Sequence, residues 1–383
     1  MMFDTLDIFL ERKTLYYDKI EYDTISKAWN ILKNNIKLPY VIHIVGTNGK
    51  GTTGRYIASF LTQLGDTVLH YTSPHINKIN ERIWINGYDS SDDELNQAHF
   101  KLQKILPNNL IDKLTYFEYM TLLGLLLSDG LDYIVLEAGL GGEFDATNVV
   151  KNDLTVVPSI GMDHIEFLGN TIEKIATTKL KSCDKRYIIN CEDEDVLKLK
   201  KTILKDKDEI LVDVNKISDC FNLLKVDNLP SYLQSNLILA LKVTYYLKQD
   251  FDINSLKLVS LRGRYEKISN NITIDVGHNV LAAQAIINDI KNKNIILIYN
   301  TFKDKDYKSI LKIFKPIIKE LQIIDCDDKR MINKDDLIKY CKELKIKVLD
   351  FNMDNLREDE QYLVFGSFKV VEEFVKEYKI KNF

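Results

Sequence analysis

The sequence predicts an α/β protein: an N-terminal domain with a mostly parallel sheet and a phosphate-binding loop, followed by a smaller Rossmann-like α/β domain. Three observations carry this. Apolar strand-like runs alternate with helical patterns from Val41 onward. A glycine-rich segment separates the first of those strands from a long helical pattern. The alternation pauses in a loop-like stretch near Asn254 and then restarts. At 383 residues and 45% hydrophobic, the chain is long enough for two cores, and the expected division is 1–254 and 255–383.

In chain order, VIHIVG (Val41–Gly46), Thr67–Tyr71, LDYIVLEAG (Leu131–Gly139) and DLTVVPSIG (Asp153–Gly161) read as strands. The Lys- and Asp-rich stretch Thr202–Asp227 reads as weak strands at the outer edge of the first domain, and Ser231–Leu247 as an amphipathic helix. Phe251–Leu261 holds loop residues that would connect the domains. Beyond it ITIDVG, IILIYN, LQIIDC, IKVLDF and YLVFGS are strands, separated by helical stretches including 279–292 and 306–320, without a dinucleotide-type GxGxxG.

Formal net charge is -4 with both signs interspersed, so no broad positive field exists to attract nucleic acid or anionic lipid. The five cysteines (Cys183, Cys191, Cys220, Cys326, Cys341) lack metal-ligand spacing and suit reduced thiols. No leader-like N-terminus and no long apolar run is present, so a soluble cytoplasmic protein is expected.

After the first strand comes Gly46-Thr47-Asn48-Gly49-Lys50-Gly51-Thr52-Thr53, then a helical run. Strand, glycine-rich loop and helix together surround phosphate oxygens with backbone N–H groups while a lysine reaches the terminal phosphates. The spacing departs from G-x4-G-K-[ST], because Gly51 follows Lys50. An ordinary tight turn is the plainer alternative, and three glycines around one lysine weigh against it.

Ligands of open α/β sheets collect beyond the carboxyl ends of the strands. Glu137 closes one strand there, suited to a hard cation or else simply solvated, and His164 follows another. Asn170-Thr171-Ile172-Glu173 opens a helix carrying Lys179, which reads equally well as a surface lysine. Ser73, in Thr72-Ser73-Pro74-His75, offers a hydroxyl oxygen to a cation, with a Ser-Pro turn as the bland reading.

Taken together, GTNGKGTT, TSPHINKINERIWING, TYFEYMT, LEAGLGGEFDATN and SIGMDHIEFLG, then LRGRYEKIS, IDVGHNV, FKDKD and GSFKVVEE, resemble in order the folate branch of the ATP-dependent ligase family that also contains the cell-wall Mur ligases. The resemblance implies an enzyme joining L-glutamate to dihydropteroate, to reduced folates, or to both, through an acyl phosphate. It implies Mg²⁺ with ATP, held by Ser73, Glu137 and His164. Lys50 would bind the β- and γ-phosphates with Thr52 nearby, and Lys179 stands where the family carries a carbamylated lysine. Asn236 matches an adenine-side asparagine, Arg264 a linker arginine contacting phosphate, and Asp275 and His278 residues closing over ATP and glutamate. Tyr116, Phe117, Glu118 and Asp145 are expected on the pterin or benzoate side. A monovalent cation belongs to the same implied set, and a monomer is expected.

Some positions depart from the family pattern. Arg262-Gly263-Arg264 stands for PGR, Asp275-Val276-Gly277-His278-Asn279-Val280 for DGAHNP, Glu143 for an arginine, and Leu180-Lys181-Ser182 for AGI. Two competing readings are a ligase acting on a UDP-linked sugar peptide and a nucleotide-driven switch. The first is expected to need an additional N-terminal domain, whereas only about 40 residues precede the loop. The second leaves the restarted α/β pattern and DVGHN without a purpose.

Overall fold

The computed structural model describes residues 4–13, 23–191, 193–213, 217, 224, 226, 229–290 and 294–382. The chain divides into two compact units, Met1–Asp227 with Ser235–Val259, and Asn228–Gln234 with Ser260–Phe383. The junction between Val259 and Ser260 falls a few residues after Asn254, and the opening turn of the helix Ser231–Lys248 groups with the second unit.

The first unit is built on β1 (Tyr40–Ile44), β2 (Val68–Tyr71), β3 (Ile83–Ile85), β4 (Tyr88–Asp89), β5 (Tyr133–Glu137), β6 (Leu154–Val157), β7 (Arg186–Ile189) and β8 (Asp208–Glu209). Their order is β4-β3-β2-β5-β1-β6-β7-β8, parallel from β2 to β8. β1 lies between β5 and β6, buried on both faces, which is why its sequence is a continuous apolar run. Register pairs Ile44 with Glu137 on one side and with Val156 on the other, so three loops leave the sheet at one level.

The second unit holds β9 (Glu266–Lys267), β10 (Ile272–Asp275), β11 (Ile295–Tyr299), β12 (Ile318–Ile323), β13 (Lys347–Asp350) and β14 (Tyr362–Phe365). Their order is β13-β12-β11-β14-β10-β9, with only β9 antiparallel. Asp275, Phe365 and Tyr299 share one level at the carboxyl ends.

Three expectations need correction. The helical reading of 306–320 ends early: the helix is Tyr307–Phe314, and β12 begins at Ile318, because Pro316 lacks the N–H and the ring clearance that a helix interior requires. Of the weak strands read in Thr202–Asp227, the described residues show only β8, an edge strand following the helix Glu194–Ile203. Residues 214–216, 218–223, 225 and 227 of that stretch, Cys220 among them, lie outside the described residues, as do Met1–Phe3 and residues 291–293. The antiparallel hairpin β3–β4 was not expected; its Asn86-Gly87 turn has φ of 49° and 111°, the left-handed pair that two-residue hairpins require. Among the described residues no helix is long and apolar enough to cross a membrane.

Candidate active site

The loop after β1 is clasped from the side of β6. Thr47 N donates to Ser159 O at 2.8 Å, Thr47 Oγ1 donates to Gly161 O at 2.9 Å, and Gly161 N donates back to Thr47 Oγ1 at 3.0 Å. Asn48 N reaches Ser159 Oγ at 3.1 Å. The helix Lys50–Gln63 then starts from Gly49, whose φ of 83° is left-handed.

Each loop glycine is met by a different segment. A Cβ at Gly46 would stand 2.9 Å from Ser159 O, one at Gly49 2.3 Å from Asn236 Oδ1, and one at Gly51 3.1 Å from Glu137 Oε2 and from Thr72 Oγ1. The structure therefore gathers the phosphate loop, Asn236, Glu137 and the Thr72–Ser73 loop.

Two lysine amines converge on one carbonyl: Lys179 Nζ donates to Gly46 O at 2.7 Å and Lys50 Nζ to the same oxygen at 3.1 Å. Neither amine has an ion-pair partner among the described residues. Burial first, and the charge of Lys50 second, lower the Lys179 pKa to about 7. In the same turn of helix the hydroxyls of Thr52 and Thr53 are buried without a hydrogen-bond partner among the described residues, a deficit of about 1–3 kcal/mol each. Unpaired cations and orphan hydroxyls at a helix N-terminus fit a polyanion such as a triphosphate.

Glu137 is 4% exposed; its Oε2 accepts from the Thr72 hydroxyl and from Ser73 N at 3.1 Å. Its Oε1 makes no hydrogen bond among the described residues. That oxygen, beside the Ser73 loop, fits a hard cation. Gly161, which clasps Thr47, lies three residues before His164; His164 has a left-handed φ of 49° and Nε2 3.9 Å from Asp163 Oδ2. Among the described residues no three His, Cys, Asp or Glu side chains form a metal cluster; the set inferred from sequence is of mixed type, with one serine, one glutamate and one histidine.

On the aromatic side, Phe117 backs Gly139, where a Cβ would come 2.6 Å from its Cζ, and Tyr116 lies under the Arg82 guanidinium at 5.1 Å. Glu118 caps its own helix. Its Oε2 accepts from Thr115 N at 2.9 Å while Thr115 Oγ1 accepts from Glu118 N at 3.3 Å, a reciprocal pair. Asp145 likewise holds its own turn, accepting from Leu140 N at 2.7 Å and from Thr147 Oγ1 at 2.6 Å. Because the Thr147 hydroxyl donates to Asp145, it accepts from His43 Nε2 at 2.8 Å. His43 is thereby fixed in one tautomer on β1, and burial lowers its pKa to about 4. Sequence reasoning gave no role to Thr72 and Arg82, which lie within a quoted motif beside Ser73, nor to His43, which sits inside an apolar strand.

In the second unit, Asp275 ends β10 and is 4% exposed. Tyr232 OH donates to its Oδ2 at 2.6 Å, Tyr265 N to Oδ2 at 2.9 Å, and Gly277 N to Oδ1 at 2.7 Å. Burial pushes its pKa up against these donors. The Arg264 guanidinium lies over the Phe368 ring at 5.0 Å, and His278 Nδ1 is 3.1 Å from Val276 O.

Residues 44–219 match the model of the Mur ligase middle domain. Over 96% of this chain and 95% of its own length, the dihydrofolate synthase/folylpolyglutamate synthase of Buchnera aphidicola is 31% identical. The chain belongs to the dihydrofolate synthase/folylpolyglutamate synthase family. The crystal structure of Helicobacter pylori folylpolyglutamate synthetase is similar throughout, with 36% identity, a TM-score of 0.77 and 98% of each chain covered. A bifunctional folylpolyglutamate synthase/dihydrofolate synthase solved with Mn, AMPPNP and L-glutamate bound shares the fold at a TM-score of 0.80, 23% identity and 97% of each chain. Family membership accounts for the ordered motifs, and the loop glycines, Lys50 and Glu137 are where those motifs meet in space.

Proposed function

We propose that this family member uses ATP to activate a folate-type carboxylic acid, dihydropteroate or a reduced folate, and joins it to the amino group of L-glutamate. The observation that carries the reading is the convergence of Lys50 and Lys179 on Gly46 O, beside a buried Glu137 with one oxygen unbonded among the described residues.

A carboxylate resists an amine because oxide would have to leave, so the acid is first made an acyl phosphate by the γ-phosphoryl group, with ADP released. Lys50 and the loop N–H groups stabilise charge on the transferring group. Thr52 gains a partner for its buried hydroxyl when phosphate is bound. A divalent cation, Mg²⁺ in this proposal, would be held by Glu137 and Ser73 with His164 and would supply neutralising charge to the phosphates. Asn236, against Gly49, serves the nucleotide's base side. Arg264 and His278 serve ATP and glutamate, with Asp275 holding the turns beside them through Tyr265 N and Gly277 N, and a monovalent cation is part of the same proposal. The glutamate amine then attacks the acyl carbon and phosphate leaves.

Lys179 is proposed to be carbamylated. Its lowered pKa leaves a substantial fraction of the amine neutral and nucleophilic at neutral pH, able to add to CO₂ with loss of a proton. The carbamate carries negative charge, which reverses its relation to Lys50. ¹³C-bicarbonate is expected to give a carbamate resonance that Lys179→Met lacks.

The deciding experiment is phosphate release with Mg-ATP, offering dihydropteroate and tetrahydrofolate separately, each with and without L-glutamate. Release that requires an acid and glutamate together is expected. Release with neither acid contradicts the folate reading, and release without any acid favours a switch.

A further inference from the structure

Arg82 ends the 3-10 turn Ile79–Arg82 and is only 9% exposed. Its Nε donates to His75 Nδ1 at 2.8 Å, and its guanidinium stacks over Tyr116. These are its side-chain partners among the described residues, and neither is an acid. Two acids beside this segment have other work: Glu81 accepts from Ile76 N, Asn77 N and Lys78 N, and Glu137 from Thr72 and Ser73. A guanidinium is thus held largely out of water without an acidic partner among the described residues, an arrangement that burial disfavours unless an anion completes it.

The geometry also leaves the recognition edge open. Tyr116 covers one face and His75 takes Nε, while the two Nη groups, the fork that matches a planar carboxylate, donate to nothing among the described residues. Arg82 O accepts from Thr72 N at 2.8 Å, and the Thr72 hydroxyl donates to Glu137. Tyr116 is followed by Phe117, which lies on Gly139 two residues beyond Glu137. The fork therefore belongs to the segment that connects the acidic strand end with the aromatic wall.

We propose that Arg82 is a binding residue for the acid substrate: its Nη fork receives a carboxylate of the acceptor while Tyr116 backs the guanidinium. The inference rests on the ligase reading above and adds the residue that recognises the acid. A neutral isostere of the acceptor should leave the fork unpaired, so discrimination between acid and amide is the property Arg82 confers.

The test is a set of binding titrations of dihydropteroate and of its carboxamide, by intrinsic fluorescence, on the parent chain, R82Q and R82K, with ADP affinity measured alongside. The parent is expected to favour the acid by roughly 10- to 100-fold. R82Q should abolish that preference while leaving carboxamide and ADP affinity within about threefold of the parent. R82K, which keeps the charge and loses the fork, should retain only part of the preference and covers the case in which R82Q fails to fold. An undiminished preference for the acid in R82Q or R82K overturns the assignment and leaves the ligase reading standing. Weakened ADP with acid preference intact assigns the fork to a phosphate and likewise overturns it. A parent that binds neither compound removes the folate reading, and the Arg82 proposal with it.

Discussion

Both units end a buried interior strand with an acid, and the two acids are treated differently. Glu137 has both donors on one oxygen, the other oxygen being unbonded among the described residues, whereas Asp275 has donors on both oxygens, one of them the phenol of Tyr232. Position at a strand end therefore marks a place where a ligand can gather, and the donor count separates an acid available to a ligand from one that fixes a turn. Glu137 should be the acid whose loss is felt in turnover, and Asp275 the one whose loss is felt in folding.

Crossing the two substitutions tests this. Glu137→Gln, like Lys50→Ala, should lower acid-dependent phosphate release by roughly 10²- to 10³-fold or more, with the melting curve little changed; near-normal turnover would break the comparison. Asp275→Asn turns part of an acceptor group into N–H facing the N–H donors of Gly277 and Tyr265. It should cost about 1–3 kcal/mol, read by urea unfolding, and a stability equal to the parent's would show that the donors are dispensable.

Titration sharpens the contrast further. His43 has its folded pKa lowered from 6.5 to about 4, so the unfolded chain takes up a proton first as pH falls. Stability should drop between those two values by up to about 1.4 kcal/mol per pH unit, and His43→Gln should flatten the curve. Lys179 acts on the alkaline side: with its pKa lowered from 10.5 to about 7, its burial penalty is complete below pH 7 and disappears as pH rises to 10.5. Denaturant titrations across that range should show the parent gaining on Lys179→Met. The smallest effect is expected at Glu143, paired with Lys181 at 3.3 Å near the surface. Glu143→Ala should move stability by less than about 1 kcal/mol.

Much of this was legible in the residues. The loop glycines could be read because no other residue type allows so many close approaches, and the longer parallel strands could be read because each is apolar and closed by polar residues, unlike the two-residue β4, β8 and β9. The cap formed by Thr115 and Glu118 was also legible, as Thr-x-x-Glu, although Glu118 was singled out for a different reason, its place in a family motif. What could not be read is contact across the fold. The sharing of Gly46 O by Lys50 and Lys179, the Tyr232–Asp275 bond and the contact of Arg82 with His75 and Tyr116 each depend on which distant positions meet, which no local motif records.

The glycines set a mechanical tolerance as well. Gly54 lies beyond the loop, yet a methyl group there would stand 2.4 Å from His70 Nε2 and 3.0 Å from Ile44 Cδ1. One added carbon on the inner side of the helix would lift its first turn off the sheet and carry the loop away from Glu137. The clearance under that helix is about the size of a hydrogen atom, so the alignment of the reacting groups is set as much by what the chain leaves out as by the side chains it displays.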